Sequence, residues 1–142
     1  MPLSADADIA DVLRSVKTVA LLGASAKPAR PSYSVMQFLL SKGYLVLPVN
    51  PGLAGTELLG QRVYGTLADI PQRVDMVDVF RNASFLGEIV EEAIQCKAGI
   101  LWTQLDVVDY AAAARAEAQG IAVVMDRCPA IEWPRLHAAG LL

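Results

Sequence analysis

With 142 residues and 54% hydrophobic content, the chain can bury one sizeable core, and a single domain over residues 1–142 is expected. A net charge of -3 argues against long-range attraction to nucleic acid or to an anionic membrane surface. No uncharged apolar run approaches the roughly 20 residues of a membrane span, and Met1–Ala10 lacks the basic start and apolar core of a secretory signal, so a cytoplasmic protein is expected.

Short apolar packets alternate with stretches of helical period, the pattern of parallel strands covered by helices on both faces. Asp8–Ser15 reads as a leading helix and the uncharged Thr18–Leu22 as a first, central strand. After a loop beginning at Gly23, a helix runs from about Ser34 to Lys42, with Val35, Phe38 and Leu39 on one face and Gly43 as its stop. Leu45–Val49 is the second strand, ended by Asn50-Pro51-Gly52. The stretch to Gly65 is loop-like, with Gln61–Tyr64 offering a short edge strand. Asp75–Phe80 is the next strand, and Asn82 or Ser84 caps the helix carrying Phe85, Leu86, Ile89, Val90 and Ala93. Ala98–Trp102 returns to the sheet. Asp106 precedes an alanine-rich helix over Val107–Gln119, Gly120 closes it, and Ile121–Met125 is the last strand before Asp126-Arg127-Cys128-Pro129 opens a final short helix.

The fold expected is therefore α/β, a Rossmann-like doubly wound parallel sheet of five or six strands in three layers. Its ligand crevice should open at the carboxyl end of the first strand, where the strand order reverses. Gly23, Asn50, Phe80, Thr103 and Arg127 then lie along the rim. Gly23 suits a tight turn in which backbone amides approach a phosphate. Ser25, Lys27 and Arg30 add one hydroxyl donor and two cations, and Pro28 and Pro31 restrict the loop that carries them. The dinucleotide fingerprint is incomplete, because Ser25 and Pro28 stand where its second and third glycines belong. Asn50 stands where an acid for the ribose hydroxyls is expected.

Cys96 and Cys128 form no disulfide framework, and with one histidine, His137, a metal site has too few ligands. Cys96 reads as a small apolar residue on the inner face of a helix. Cys128 has two readings. It is a packed residue ahead of Pro129, or a redox thiol whose pKa is lowered by the helix start and by Arg127. Asp75, Asp78, Asp106, Asp109 and Asp126 read as caps and strand-end residues, and Glu88, Glu91 and Glu92 as a solvated helix face.

Across Val16–Leu136 stand Gly23-Ala-Ser-Ala-Lys-Pro with Arg30-Pro-Ser-Tyr, Pro48-Val-Asn-Pro, Gly60-Gln-Arg-Val-Tyr, Asp75-Met-Val-Asp-Val-Phe-Arg, Trp102-Thr-Gln-Leu and Met125-Asp-Arg-Cys-Pro. On these blocks the chain resembles the small, stand-alone coenzyme A-binding domain proteins, relatives of the amino-terminal domain of the succinyl-CoA synthetase α subunit. The resemblance implies binding of coenzyme A or an acyl-CoA. By motif, Gly23, Ala24 and Ser25 would meet the pyrophosphate, and Lys27 and Arg30 would neutralise its charge beside Ser32 and Tyr33. Asn50 and Pro51 would flank the adenosine. Val79, Phe80 and Arg81 would line the opposing wall, with Thr103 and Gln104 near the pantetheine arm. Related sequences often place a basic residue after the Asn-Pro pair, whereas this chain has Gly52, which leaves the 3′-phosphate to Lys27 or Arg30 or to no residue. If the pantetheine thiol reached Cys128, a mixed disulfide would form.

The resemblance also implies a binding module rather than an enzyme, since the synthetases keep their catalytic machinery in other domains. A protein partner or a second copy of the chain is compatible with that reading. The alternatives are an NAD(P)-binding oxidoreductase, favoured by fold and weakened by the incomplete fingerprint, and an interaction module without a ligand.

Overall fold

In the computed structural model, which describes residues 1–142, the chain runs α1 (Asp6–Ser15), β1 (Thr18–Leu22), α2 (Pro31–Ser41), β2 (Leu45–Val49), β3 (Glu57–Leu58), β4 (Gln61–Arg62), β5 (Met76–Val79), α3 (Leu86–Gln95), β6 (Ile100–Thr103), α4 (Tyr110–Ala118), β7 (Ala122–Val124) and α5 (Pro129–Ala138). Five strands form one parallel sheet in the order β2-β1-β5-β6-β7. Burial on both faces explains why β1 carries no charge. Val19 and Leu21 point to the side covered by α1, α2 and α5, while Ala20 and Leu22 point to the side covered by α3 and α4. Two apolar clusters thus sandwich the sheet, and the three-layer Rossmann-like architecture follows.

The chain passes from β1 through α2 to β2, then crosses back over β1 to reach β5. Order therefore reverses between β1 and β5. The helices after these two strands leave on opposite faces, α2 on one and α3 on the other, which opens a crevice at the carboxyl ends of β1 and β5. The amino ends are tied differently: the Asp75 carboxylate accepts the amides of Lys17 and Thr18 at 3.0 and 3.1 Å, a strand-end role as expected.

Several boundaries differ from expectation for identifiable reasons. The leading helix begins at Asp6. Pro31 occupies the first turn of α2, where its missing amide and fixed φ are tolerated, so that helix starts three residues before Ser34. The helix expected from Val107 starts instead at Tyr110, because Asp109, not Asp106, is its cap and accepts the Ala112 amide at 3.1 Å. Asp106 sits at φ 68° and donates its amide to Asp126 at 2.7 Å. Gln61–Tyr64 does not become a sixth strand. Residues 61 and 62 pair antiparallel with β3, and only Tyr64 bridges to Val49 at the edge of β2. Asp78 is no strand-end residue: it is wholly buried within β5, in register with Leu21 and Trp102.

Candidate functional site

The crevice consists of two recesses that share Gly23, Asn50 and Phe80. The larger, about 530 Å³, lies between the end of β2 and the start of α3. The smaller, about 400 Å³, lies between the Gly23 loop and the start of α2. Their junction stands directly over the end of β1.

Gly23 has φ +91°, and a Cβ there would lie 2.7 Å from the carbonyl oxygen of Phe80. Only glycine permits this approach of two backbones. The Gly23 and Ala24 amides both donate to the Val49 carbonyl, at 3.0 and 3.2 Å. Those two amides consequently build the loop, and Gly23 borders both recesses through its backbone with its own N–H already engaged. The amides of Ser25 and Ala26, one step further on, meet no acceptor in the protein. Ser25 Oγ accepts the Lys27 amide at 3.1 Å, so its own proton is left to donate.

The smaller recess collects Ala24, Ser25, Lys27, Arg30 and Ser32. Lys27 and Arg30 are exposed, and neither forms a salt bridge. Arg30 is the residue before α2 and lends the helix no side-chain cap. The start of α2, where the Ser32 amide meets no protein acceptor and the positive end of the helix dipole lies, thus borders the same recess as two cations, an arrangement suited to an anion. Ser32 is nearly buried on its wall, whereas Tyr33 packs against the α1, α2 and α5 cluster.

Asn50 joins the two halves. Its Nδ2 donates to the Ala24 carbonyl at 2.7 Å, and its Oδ1 accepts the Gly52 amide at 2.8 Å. Pro51, Gly52, Gly65 and Thr66 continue the wall of the larger cleft. Phe80 and Arg81 face them, together with Phe85, Glu88, Ile89 and Glu92. The Arg81 guanidinium lies 4.1 Å from the centre of the Phe85 ring. Glu88 and Glu92 are exposed, as the reading of a solvated helix face expects, and the surface they form lines the cleft. They stand one helical turn apart on the face that also carries Phe85 and Ile89, and that spacing was the available signal.

Other expected site residues fall outside both recesses. Val79 is fully buried against α3 and α4. Thr103 is also fully buried: its hydroxyl donates to the Val107 carbonyl at 2.6 Å and accepts the Asp126 amide at 3.1 Å. Its role is to knit the rim together. Gln104 lies beside it, with Oε1 buried and unpartnered. Cys128 is 8% exposed within the α1, α2 and α5 cluster, and Arg127 pairs with Glu132 at 2.6 Å. The structure therefore replaces the accessible redox thiol with a packed residue. Cys96 is half-buried at the end of α3, where burial pushes its thiol pKa up.

A family model described as "CoA binding domain" matches residues 17–134. An uncharacterized protein of Bacillus subtilis, YneT, is 33% identical over 122 residues, which cover 86% of this chain and 89% of that protein. The α subunit of acetate–CoA ligase [ADP-forming] I from Pyrococcus furiosus is 36% identical over 89 residues. That match takes in 60% of this chain and 19% of the subunit. Among solved structures, a hypothetical protein from Pyrococcus horikoshii superposes with a TM-score of 0.90 at 37% identity, covering 96% of each chain.

Proposed function

The chain belongs to the CoA binding domain family, and on that premise we propose that it binds coenzyme A, or an acyl derivative, across the two joined recesses without catalysing a reaction of its own. The diphosphate lies in the smaller recess, against Lys27, Arg30, the Ser25 hydroxyl and the start of α2. The adenosine lies in the larger cleft, flanked by Asn50, Pro51 and Phe80. One observation carries the reading: two unpaired cations and an uncapped helix start converge on a recess that opens into a cleft of about 530 Å³, a volume within the usual range for small-molecule sites.

An NAD-type ligand fits less well. Such sites present an acid to the ribose hydroxyls at the end of the second strand, and here Asn50 holds that position with its amide engaged by Ala24 and Gly52. No helix is long and apolar enough to cross a membrane. On the proposed reading the chain acts as a carrier or sensor, with any chemistry on the ligand supplied by a protein partner.

Calorimetric titration with coenzyme A and NAD, on wild type and a Lys27→Ala/Arg30→Ala variant, tests this. Saturable binding of coenzyme A, weakened at least about a hundredfold by loss of two charge-assisted contacts, supports the assignment. Absence of coenzyme A binding, or tighter binding of NAD, overturns it.

A further inference from the structure

We propose that Arg81 is the residue that discriminates coenzyme A from ligands lacking its 3′-phosphate. The inference deepens the reading above and rests on it. If the diphosphate occupies the recess of Lys27 and Arg30, the ribose that bears the third phosphate falls on the far side of Gly23, in the larger cleft. Arg81 is the sole cation lining that cleft.

Three features prepare this side chain for a phosphate. It forms no salt bridge and no hydrogen bond within the protein. Its guanidinium lies over the Phe85 ring at 4.1 Å, and with no acceptor in the protein its N–H donors are available for a bidentate contact. Its stem is held beside the junction of the recesses, with Cδ 3.3 Å from where a Gly23 Cβ would be. The position after Asn50-Pro51 is Gly52, so the opposite wall offers no cation.

Glu88 and Glu92 line the same cleft and give it negative charge apart from Arg81. A phosphate entering there depends on the one guanidinium, whereas a ribose hydroxyl does not. Arg81 thus sets specificity more than overall affinity.

The test is titration of wild type, Arg81→Gln, Arg81→Lys and Lys27→Ala with coenzyme A and dephospho-coenzyme A. Wild type should prefer coenzyme A by about tenfold to a hundredfold, the range for a charge-assisted contact. Arg81→Gln should bring the preference close to unity while leaving dephospho-coenzyme A affinity within about twofold, and Arg81→Lys should retain part of it. Lys27→Ala should weaken both ligands and preserve the preference. Equal binding of the two ligands by wild type overturns the inference, as does equal weakening of both by Arg81→Gln, which would place Arg81 on the diphosphate. A preference that survives in Arg81→Gln and vanishes in Lys27→Ala transfers the role to Lys27. In each of these cases coenzyme A binding itself stands; a wild type that binds neither ligand removes the functional reading and this inference together.

Discussion

The carbonyl of Phe80 and the α-carbon of Gly23 meet so closely that a Cβ on Gly23 would lie 2.7 Å from the Phe80 oxygen. Adjacent parallel strands end here, and the loops leaving them diverge from this contact to form the two recesses. Gly23→Ala should destabilise the fold by about 1–3 kcal/mol through backbone strain at a positive φ. Moving Phe80 aside should also weaken coenzyme A binding by more than about tenfold. A urea denaturation series and a titration check the two effects separately.

Asn50 clasps both loops through Ala24 and Gly52. Asn50→Ala removes one donor and one acceptor, each worth about 0.5–1.5 kcal/mol net, so a stability loss of about 1–3 kcal/mol is expected. Asn50→Asp keeps the acceptor for Gly52 and sets a carboxylate against the Ala24 carbonyl. It should bind coenzyme A more weakly than Asn50→Ala does, because it adds negative charge where the recesses join. Reversal of that order in a titration would deny Asn50 its place between them.

Asp78 has no hydrogen-bond partner and no exposed surface, and burial raises its pKa well above the ordinary aspartate value. Below the carboxyl range of the unfolded chain both states are protonated and ionisation brings no penalty. As the pH rises above about 4, the unfolded chain ionises while the native carboxyl keeps its proton. Stability then falls by about 1.4 kcal/mol per pH unit until the native group also ionises. Asp78→Asn cannot ionise. Relative to wild type it should gain stability from about pH 4 upward until the native carboxyl ionises, as read from urea midpoints; a difference that stays constant across that range would show that Asp78 ionises in the native state as it does in the unfolded chain.

Glu132 carries the opposite sign. Burial pushes its pKa up, but hydrogen bonds and charge from Arg135 and Arg127 outweigh that and hold it below the ordinary glutamate value. Its contribution is therefore present above the unfolded carboxyl range and disappears as the pH falls through the native value. Glu132→Gln should cost about 1–3 kcal/mol at pH 7, and the gap to wild type should close towards pH 3. Arg135 also binds Asp6 at 2.9 Å, so the same variant should loosen the docking of α1, visible as faster amide exchange at Ile9 and Ala10.

Strand content was legible because a strand buried on both faces must be apolar: β1 from Val19 and β2 from Val46 meet that condition residue by residue. That Ser25, Lys27 and Arg30 gather beside one loop was legible from their spacing, and they line one recess, but the assignment of amides was not. Whether Gly23 donates to a ligand or to Val49 depends on how β1 and β2 end relative to one another, which is a tertiary fact. Thr103 shows the same limit, since its hydroxyl is claimed by Val107 and Asp126 from segments whose approach local pattern does not specify. Asp78 was read as a strand-end residue because charge is rarely placed in the middle of a central strand. Glu88 and Glu92 read as helix surface and are exposed; that this surface borders the crevice depends on where α3 packs, which local pattern does not specify.

If the ligand spans both recesses, as proposed, their shared border of Gly23, Asn50 and Phe80 makes them halves of one bivalent receptor. A free phosphate or a free nucleoside meets one half and bears the full entropy of association for a small contact. A molecule that carries both groups on one short, correctly spaced tether presents the second at high effective concentration once the first is bound. Selection then falls on the covalent link between the groups as much as on the groups themselves, so abundant inorganic phosphate and adenosine are poor competitors for a site built from parts that each of them fits.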